Sequence, residues 1–258
     1  MAQSIWDTYQ VNDGDEPLHF SLDGLHLWIK KDNGEFWISK KYADEKDLQP
    51  SVNEDNEWAR WAPKENDTEI EISPVFPDLP VIVGSEFPLK LIPGAKIKIY
   101  CRIPVWMKVS VKKSDYVMQE VPAVKLSRTW FGTPIEGELC YWLTSKARRN
   151  LVDVEKKPYL INCPIEITNK SETDLTFERF CYRVERLGIY LLNNELWADE
   201  TKIVYHGEEQ HSDVSMTGKL PADLGKGKLI SKPRNPVSKS LATRTFKMLF
   251  DDTLISAR

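Results

Sequence analysis

The sequence predicts a mostly β fold of two sandwich-like units followed by a short C-terminal helix. Three observations carry this reading. Two tight-turn dipeptides, Asp23-Gly24 and Asn33-Gly34, sit inside one alternating stretch. Short runs of alternating apolar and polar residues recur over residues 69–124 and 159–205. Prolines at positions 74, 77, 80, 88, 104 and 122 punctuate the first of these regions, where a residue that cannot donate to a ladder belongs at strand starts, edges or bulges.

The clearest element is residues 18–39, LHFSLDGLHLWIKKDNGEFWIS. Asn-Gly and Asp-Gly favour the type I′ turns that join adjacent strands, so this stretch reads as a three-stranded meander. Pairing Leu22 with Leu25 and Asp32 with Glu35 sets the register. The period of two then places Leu18, Phe20, Leu22, Leu25, Leu27, Ile29, Phe36 and Ile38 on the core face. The opposite face carries His19, Ser21, His26, Trp28, Lys30, Trp37 and Ser39, and its two indoles require a cover, from a second layer of the chain or from a partner.

Residues 41–69 are acidic and polar, with Pro50 and Pro63 as breakers, and read as a long loop with one helical turn around Trp58 and Trp61. This loop completes an N-terminal β unit over 1–125. A second sandwich-like unit is expected over 126–206, with turns at Asn169 to Ser171 and at Asn193-Asn194. The stretch 207–239, with Gly218, Gly225 and Gly227, Pro221, Pro233 and Pro236 and little hydrophobic pattern, reads as a loop or linker. In 240–251, Ala242, Phe246, Leu249 and Phe250 follow helical spacing behind a capping Ser240, which predicts a short amphipathic helix.

Composition excludes several classes. Across 258 residues, 41% are hydrophobic and 29% charged, which fits a globular chain rather than a disordered one. No apolar run approaches the ~18 residues of a membrane-spanning helix. The opening MAQSIWDTYQVNDGDE resembles no signal peptide, so a cytoplasmic setting is expected. Cys101, Cys140, Cys163 and Cys181 lie singly in apolar runs, without zinc-ligand spacing, and read as reduced core residues. The net charge of −4 is unevenly spread, with 7 Lys+Arg against 19 Asp+Glu in 1–89 but 9 against 2 in 90–128. The basic segment therefore either meets an anionic partner or packs on the acidic part; Lys96, Lys98, Lys108 and Lys112 alternate with apolar residues as the solvated face of strands does.

Thr129-Trp130-Phe131-Gly132 followed by Gly137-Glu138-Leu139-Cys140-Tyr141, then Pro164-Ile165-Glu166-Ile167-Thr168-Asn169 and Leu187-Gly188-Ile189-Tyr190, resemble the DUF432 family of uncharacterised archaeal and bacterial proteins. The resemblance spans residues 65–206 and implies a prokaryotic, intracellular protein. The family lends no activity, so chemistry must be read from the residues themselves.

No phosphate loop, nucleophile elbow or paired-histidine zinc motif is present in the sequence. His19 and His26 would be diagonal neighbours, yet two imidazoles without a carboxylate make a poor metal site, and no metal or cofactor is expected. His206 and His211 lie in a polar, acidic stretch and read as solvated loop residues. Glu136 and Glu138 stand two apart and so are expected to share one face of a strand, beside Trp130 and Tyr141, a pattern found in glycosidases and also on ordinary solvated strands. The stretch from Arg128 to Pro134 sets Trp130 and Phe131 against Gly132 and Pro134, either as a plug at the end of a β unit or as a ligand clamp. The sequence thus nominates Arg128, Trp130, Phe131, Gly132, Glu136, Glu138 and Tyr141 as ligand-binding residues. It favours a non-catalytic binding or interaction module for a protein or a polar small molecule, with self-association also open. The alternative is an enzyme acting on a carbohydrate or similar polar ligand at the Trp130 to Tyr141 loop. Nothing points strongly to nucleic acid.

Overall fold

A computed structural model describes residues 4–43, 57–64, 67–151, 154–207, 211–236, 241–243 and 246–247. Almost every regular element is a strand, and the chain divides into two units, 1–75 with 104–125 and 76–103 with 126–258. The first unit opens with β1 (Thr8–Gln10), β2 (Leu18–Leu22), β3 (Leu25–Asp32), β4 (Glu35–Tyr42), β5 (Ala59–Trp61) and β6 (Glu69–Val75). The chain then supplies β7 (Val81–Leu91) and β8 (Lys96–Pro104) to the second unit and returns for β9 (Trp106–Val111) and β10 (Tyr116–Pro122).

The first unit contains two four-stranded sheets, ordered β1-β6-β9-β10 and β2-β3-β4-β5. The meander is present in the expected register, with Leu22 opposite Leu25 and Asp32 opposite Glu35. Its core face holds Phe20, Leu22, Leu25, Leu27, Ile29, Phe36 and Ile38, all buried, and Tyr9 of β1 meets Phe20 edge-on at 4.8 Å. Lys31 shares that face; it is buried because its Nζ donates to the Asp67 carbonyl at 2.8 Å and lies 3.7 Å from Asp13 Oδ2.

The second face is covered by the chain itself. Trp28 is buried beneath the stacked ring of His19, and Trp37 is flanked by Trp58, Lys30 and Arg60. The helical turn expected around Trp58 and Trp61 is instead β5, because the open edge of β4 offers backbone partners and pairs Trp61 with Phe36. Residues 44–56 and 65–66 of the expected acidic loop lie outside the described residues.

Asn33 and Gly34 both take positive φ, as a type I′ turn requires, whereas at the first turn only Asp23 does. The space around a Cβ at Gly34 is open, so backbone conformation alone sets the cost of substitution there. Gly34→Val should lower stability by ~1–3 kcal/mol, read as a fall in thermal midpoint. An unchanged midpoint would contradict the turn.

The second unit adds β11 (Arg128–Gly132), β12 (Gly137–Trp142), β13 (Leu160–Asn169), β14 (Leu175–Tyr182), β15 (Ile189–Leu192), β16 (Glu195–Ala198), β17 (Thr201–Tyr205), β18 (Ser212–Met216), β19 (Lys228–Ser231), β20 (Leu241–Thr243) and β21 (Phe246–Lys247). One sheet is ordered β11-β12-β7-β14-β21. The other runs β19-β15-β16-β13-β17-β18-β20, with β8 also paired to β13. The stretch 207–236 thus contributes two strands, β18 and β19. Both sheets are mixed, since β13 runs parallel to β16 and β17 and β12 runs parallel to β7.

The two turns expected in this region form. Asn193 and Asn194 both take positive φ between β15 and β16. Buried Asn169 closes its turn with Nδ2 donating to the Leu91 and Thr173 carbonyls and Oδ1 accepting from Ser171. The C-terminal helix does not form among the described residues of 240–251. Leu241–Thr243 pairs with β18 and Phe246–Lys247 with β14. A helix of so few residues is marginal on its own, whereas the edges of β14 and β18 supply ready backbone partners.

Asp199 is a buried polar tie in this unit. Its Oδ1 accepts from the Gly188 N–H at 2.7 Å and its Oδ2 from the Gly218 N–H at 3.1 Å. Burial pushes its carboxyl up to about 6, against the pull of those two bonds.

Candidate functional site

The nominated residues fall on the hairpin of β11 and β12, at one edge of the five-stranded sheet. Gly132 faces Gly137, and the register sets Trp130 opposite Leu139, Phe131 opposite Glu138 and Arg128 opposite Tyr141. Opposed residues of an antiparallel pair share a face, so the hairpin has two distinct sides.

One side carries Arg128, Trp130, Leu139 and Tyr141. Trp130 is 51% exposed and Leu139 41%, with Ile135 at 94% on the connecting turn. The indole of Trp130 is held in place: its Nε1 donates to the Thr133 carbonyl at 2.9 Å, and a Cβ at Gly137 would lie 2.2 Å from that same nitrogen. Gly137 therefore has no side chain because the indole occupies the space. Gly132 takes φ +110°, and a Cβ there would lie 2.4 Å from the Glu136 carbonyl oxygen, so the turn also requires glycine at its first end. Thr133 closes the turn, its Oγ1 accepting from the Glu136 N–H at 2.9 Å.

Beyond Trp130 along the strands, buried Tyr141 donates its hydroxyl to Asp78 Oδ1 at 3.0 Å. Burial pushes the Tyr141 hydroxyl up, the Asp78 carboxylate adds to this, and the Arg128 guanidinium opposes it.

The other side faces inward. Phe131 is buried with Ile82, Cys140 and Cys181, and Glu138 pairs with Arg183. The sequence expectation that Glu136 and Glu138 share a face with Trp130 and Tyr141 is therefore corrected. Glu136 belongs to the turn, and Glu138 points to the opposite side, because the strand begins only at Gly137 and its alternation puts Leu139 and Tyr141 with Trp130. Trp130 and Phe131 likewise divide, Phe131 into the interior and Trp130 outward, so the plug and the clamp are not one feature. Leu139, Ile135 and Arg183 were not singled out from the sequence. The Gly132 to Gly137 pairing would have revealed Leu139; Arg183 comes from beyond β14 and has no local signal.

Elsewhere, His19 and His26 are diagonal neighbours as expected, with Nε2 and Nδ1 2.9 Å apart and rings stacked at 5.1 Å. Burial lowers both imidazoles. Among the described residues no group of three or more His, Cys, Asp or Glu is arranged to hold a metal. The basic segment finds acidic partners within each unit: Lys96 meets Glu166 at 2.8 Å, Lys98 meets Asp223 at 2.9 Å, and Lys112 meets Glu71 at 3.1 Å. No described helix is long and apolar enough to cross a membrane.

A family model described as a protein of unknown function, DUF432, matches residues 5–250 of the 258-residue chain. No curated protein and no solved structure matches the chain.

Proposed function

The chain belongs to the DUF432 family, and we propose that it acts as a non-catalytic binding module whose contact surface is the outward side of the β11–β12 hairpin. The observation that carries this reading is the state of Trp130. A large indole left half exposed, with its N–H already satisfied and its plane fixed over a glycine, costs little further entropy on binding and offers an apolar platform. Leu139 and Ile135 extend the apolar surface, and Arg128 beside Tyr141 and Asp78 gives it a polar border. Gly132 supports the turn, while Phe131 holds the hairpin from below. β11 is also the terminal strand of its sheet among the described residues.

The carbohydrate-active alternative needs two carboxylates flanking one bond. Glu136 on the turn and Glu138 on the far side, committed to Arg183, give that reading less support. A cytoplasmic, prokaryotic setting accords with the family resemblance and belongs to the same proposal.

Immobilised wild-type and Trp130→Ala chains can be compared for retention of soluble oligosaccharides and short peptides. The wild type should retain at least one ligand, and the variant should bind it ~10-fold or more weakly, with stability changed by less than ~0.5 kcal/mol. Equal retention by both chains would move the site elsewhere. Turnover of a retained oligosaccharide would establish the enzyme reading instead.

A further inference from the structure

Along β8, Cys101 and Ile103 are buried, so alternation puts Tyr100 and Arg102 together on the outward face. The segment at Ala147 and Arg148 runs between β7 and β8 and is bonded to both. The Ala147 N–H donates to the Gly84 carbonyl at 2.7 Å, and the Ala147 carbonyl accepts from the Glu86 N–H at 3.1 Å. On the other side, Tyr100 and Arg148 exchange backbone bonds at 2.7 and 2.8 Å. Directly opposed residues share a face, so Arg148 lies beside Tyr100 and diagonal to Arg102. Continuing that register by two residues sets Lys146 opposite Arg102, where the Ser145 hydroxyl donates to the Arg102 carbonyl at 3.1 Å. Ala147, one step out of phase, is buried, while Lys146 and Arg148 are exposed.

We infer that Arg102, Lys146 and Arg148 form a binding site for a phosphate-type dianion, either inorganic phosphate or the phosphate monoester of a small molecule. This inference does not depend on the reading of the β11–β12 hairpin.

Like charges directly across a strand pair oppose pairing, so three cations on one pinned patch are unfavourable unless an anion joins them. Arg102 registers the repulsion: burial lowers its guanidinium, and the charge of Arg148 lowers it further, with Glu155 opposing. Acidic neighbours compensate only in part. Arg102 Nη1 donates to the Glu155 backbone carbonyl at 2.7 Å, while the Glu155 carboxylate is 79% exposed and lies 3.7 Å from Lys157 Nζ. Arg148 meets Glu86 at 3.4 Å with side-chain exposures of 47% and 41%, a pair that solvent weakens. Lys146 has no ion pair among the described residues. Lys96, Lys98 and Lys112 of the same basic segment differ, since each meets a carboxylate within 3.1 Å. Two planar guanidiniums and an ammonium suit a tetrahedral oxyanion, whose several oxygens and double charge can engage all three. Glu86 is then the ligand's competitor for Arg148.

The full chain is titrated calorimetrically with inorganic phosphate and with phenyl phosphate at constant ionic strength. Saturable binding at ~1 mM or tighter is expected, and Arg102→Gln and Arg148→Gln should each weaken it ~10-fold or more. Glu86→Gln should tighten binding ~2-fold or more by removing the competitor. Lys112→Gln, which removes an equal charge from the other unit, should leave it unchanged. Equal affinity for both probes marks free phosphate as the ligand; phenyl phosphate binding ~10-fold tighter marks an ester whose ring rests on Tyr100. Without ligand, Lys146→Gln should melt no lower than wild type because it relieves a like-charged pair, whereas a purely structural lysine would lower the midpoint. No saturable binding of either probe at ~10 mM, or equal binding by wild type and Arg148→Gln, would overturn the proposal. Tighter, strongly salt-dependent binding of a single-stranded oligothymidylate would overturn it in favour of a nucleic-acid surface. If Arg102→Gln does not fold, Arg148→Gln decides the matter, since that side chain is exposed.

Discussion

Lowering the pH from 8 to 4.5 should stabilise the wild-type second unit by an amount that Asp199→Asn loses, on the order of 2–3 kcal/mol. Asp199 carries a carboxyl raised from 3.8 to about 6 by burial, a gap worth ~3 kcal/mol at most. The folded state therefore holds a proton that the unfolded chain has already released. Stability from this group is absent above the folded value, grows as pH falls through about 6, and is complete below the unfolded value. Asn keeps an oxygen for the buried Gly188 N–H; the amide nitrogen faces Gly218, which is exposed and turns to water. The variant removes the titration without orphaning a buried donor.

Other groups also make stability depend on pH. His19 and His26 are lowered by burial and act in the opposite sense, losing stability as pH falls, while Glu185 is raised by burial and acts in the same sense as Asp199. The quantity to compare is therefore the difference between wild type and Asp199→Asn in urea midpoint at the two pH values. Equal pH dependence in both chains would show that Asp199 ionises as it does in the unfolded state.

Legibility followed sequence distance. The meander could be read down to its register because two turn dipeptides fix every pairing within 18–39, and a slip of one residue would turn Leu25, Leu27 and Ile29 outward. Asn193-Asn194 was readable for the same reason. Parallel pairing of β13 with β16 and β17 was not, since it joins strands through long connections that leave no local mark. The C-terminal segment misled because Ala242, Phe246, Leu249 and Phe250 do follow helical spacing, while the strand edges that recruit Leu241–Thr243 and Phe246–Lys247 lie elsewhere in the chain. At the candidate site the residue types were visible but their sides were not. Locating the start of β12 at Gly137 was the missing step; it sends Glu138 inward to Arg183 and leaves Trp130 with Leu139.

Trp28→Ala should destabilise the first unit by ~3–5 kcal/mol, as truncating a buried aromatic does. The indole is only 4% exposed although it lies on the meander's second face, where alternation alone would have left it in water. Its burial comes from its own chain: the His19 ring stacks on it at 5.0 Å and 9°, and His26 lies at 5.9 Å and 22°. Removing the indole takes away the surface on which both imidazoles rest, so the loss includes the cavity and the contacts of two neighbours. Trp37 makes an instructive comparison. It is half-buried, with Trp58 at 6.4 Å and with Arg60 at 4.5 Å and Lys30 at 4.7 Å, whose charged heads remain near solvent and whose stems can collapse into the gap. Trp37→Ala is accordingly expected to cost less, about 1–2 kcal/mol. Thermal melting of the two variants beside wild type checks the ranking. If a partner molecule rather than the chain itself covered this face, Trp28→Ala would leave the isolated protein as stable as wild type and abolish association instead; an unchanged melting midpoint together with loss of a complex would displace the self-covered face from this account.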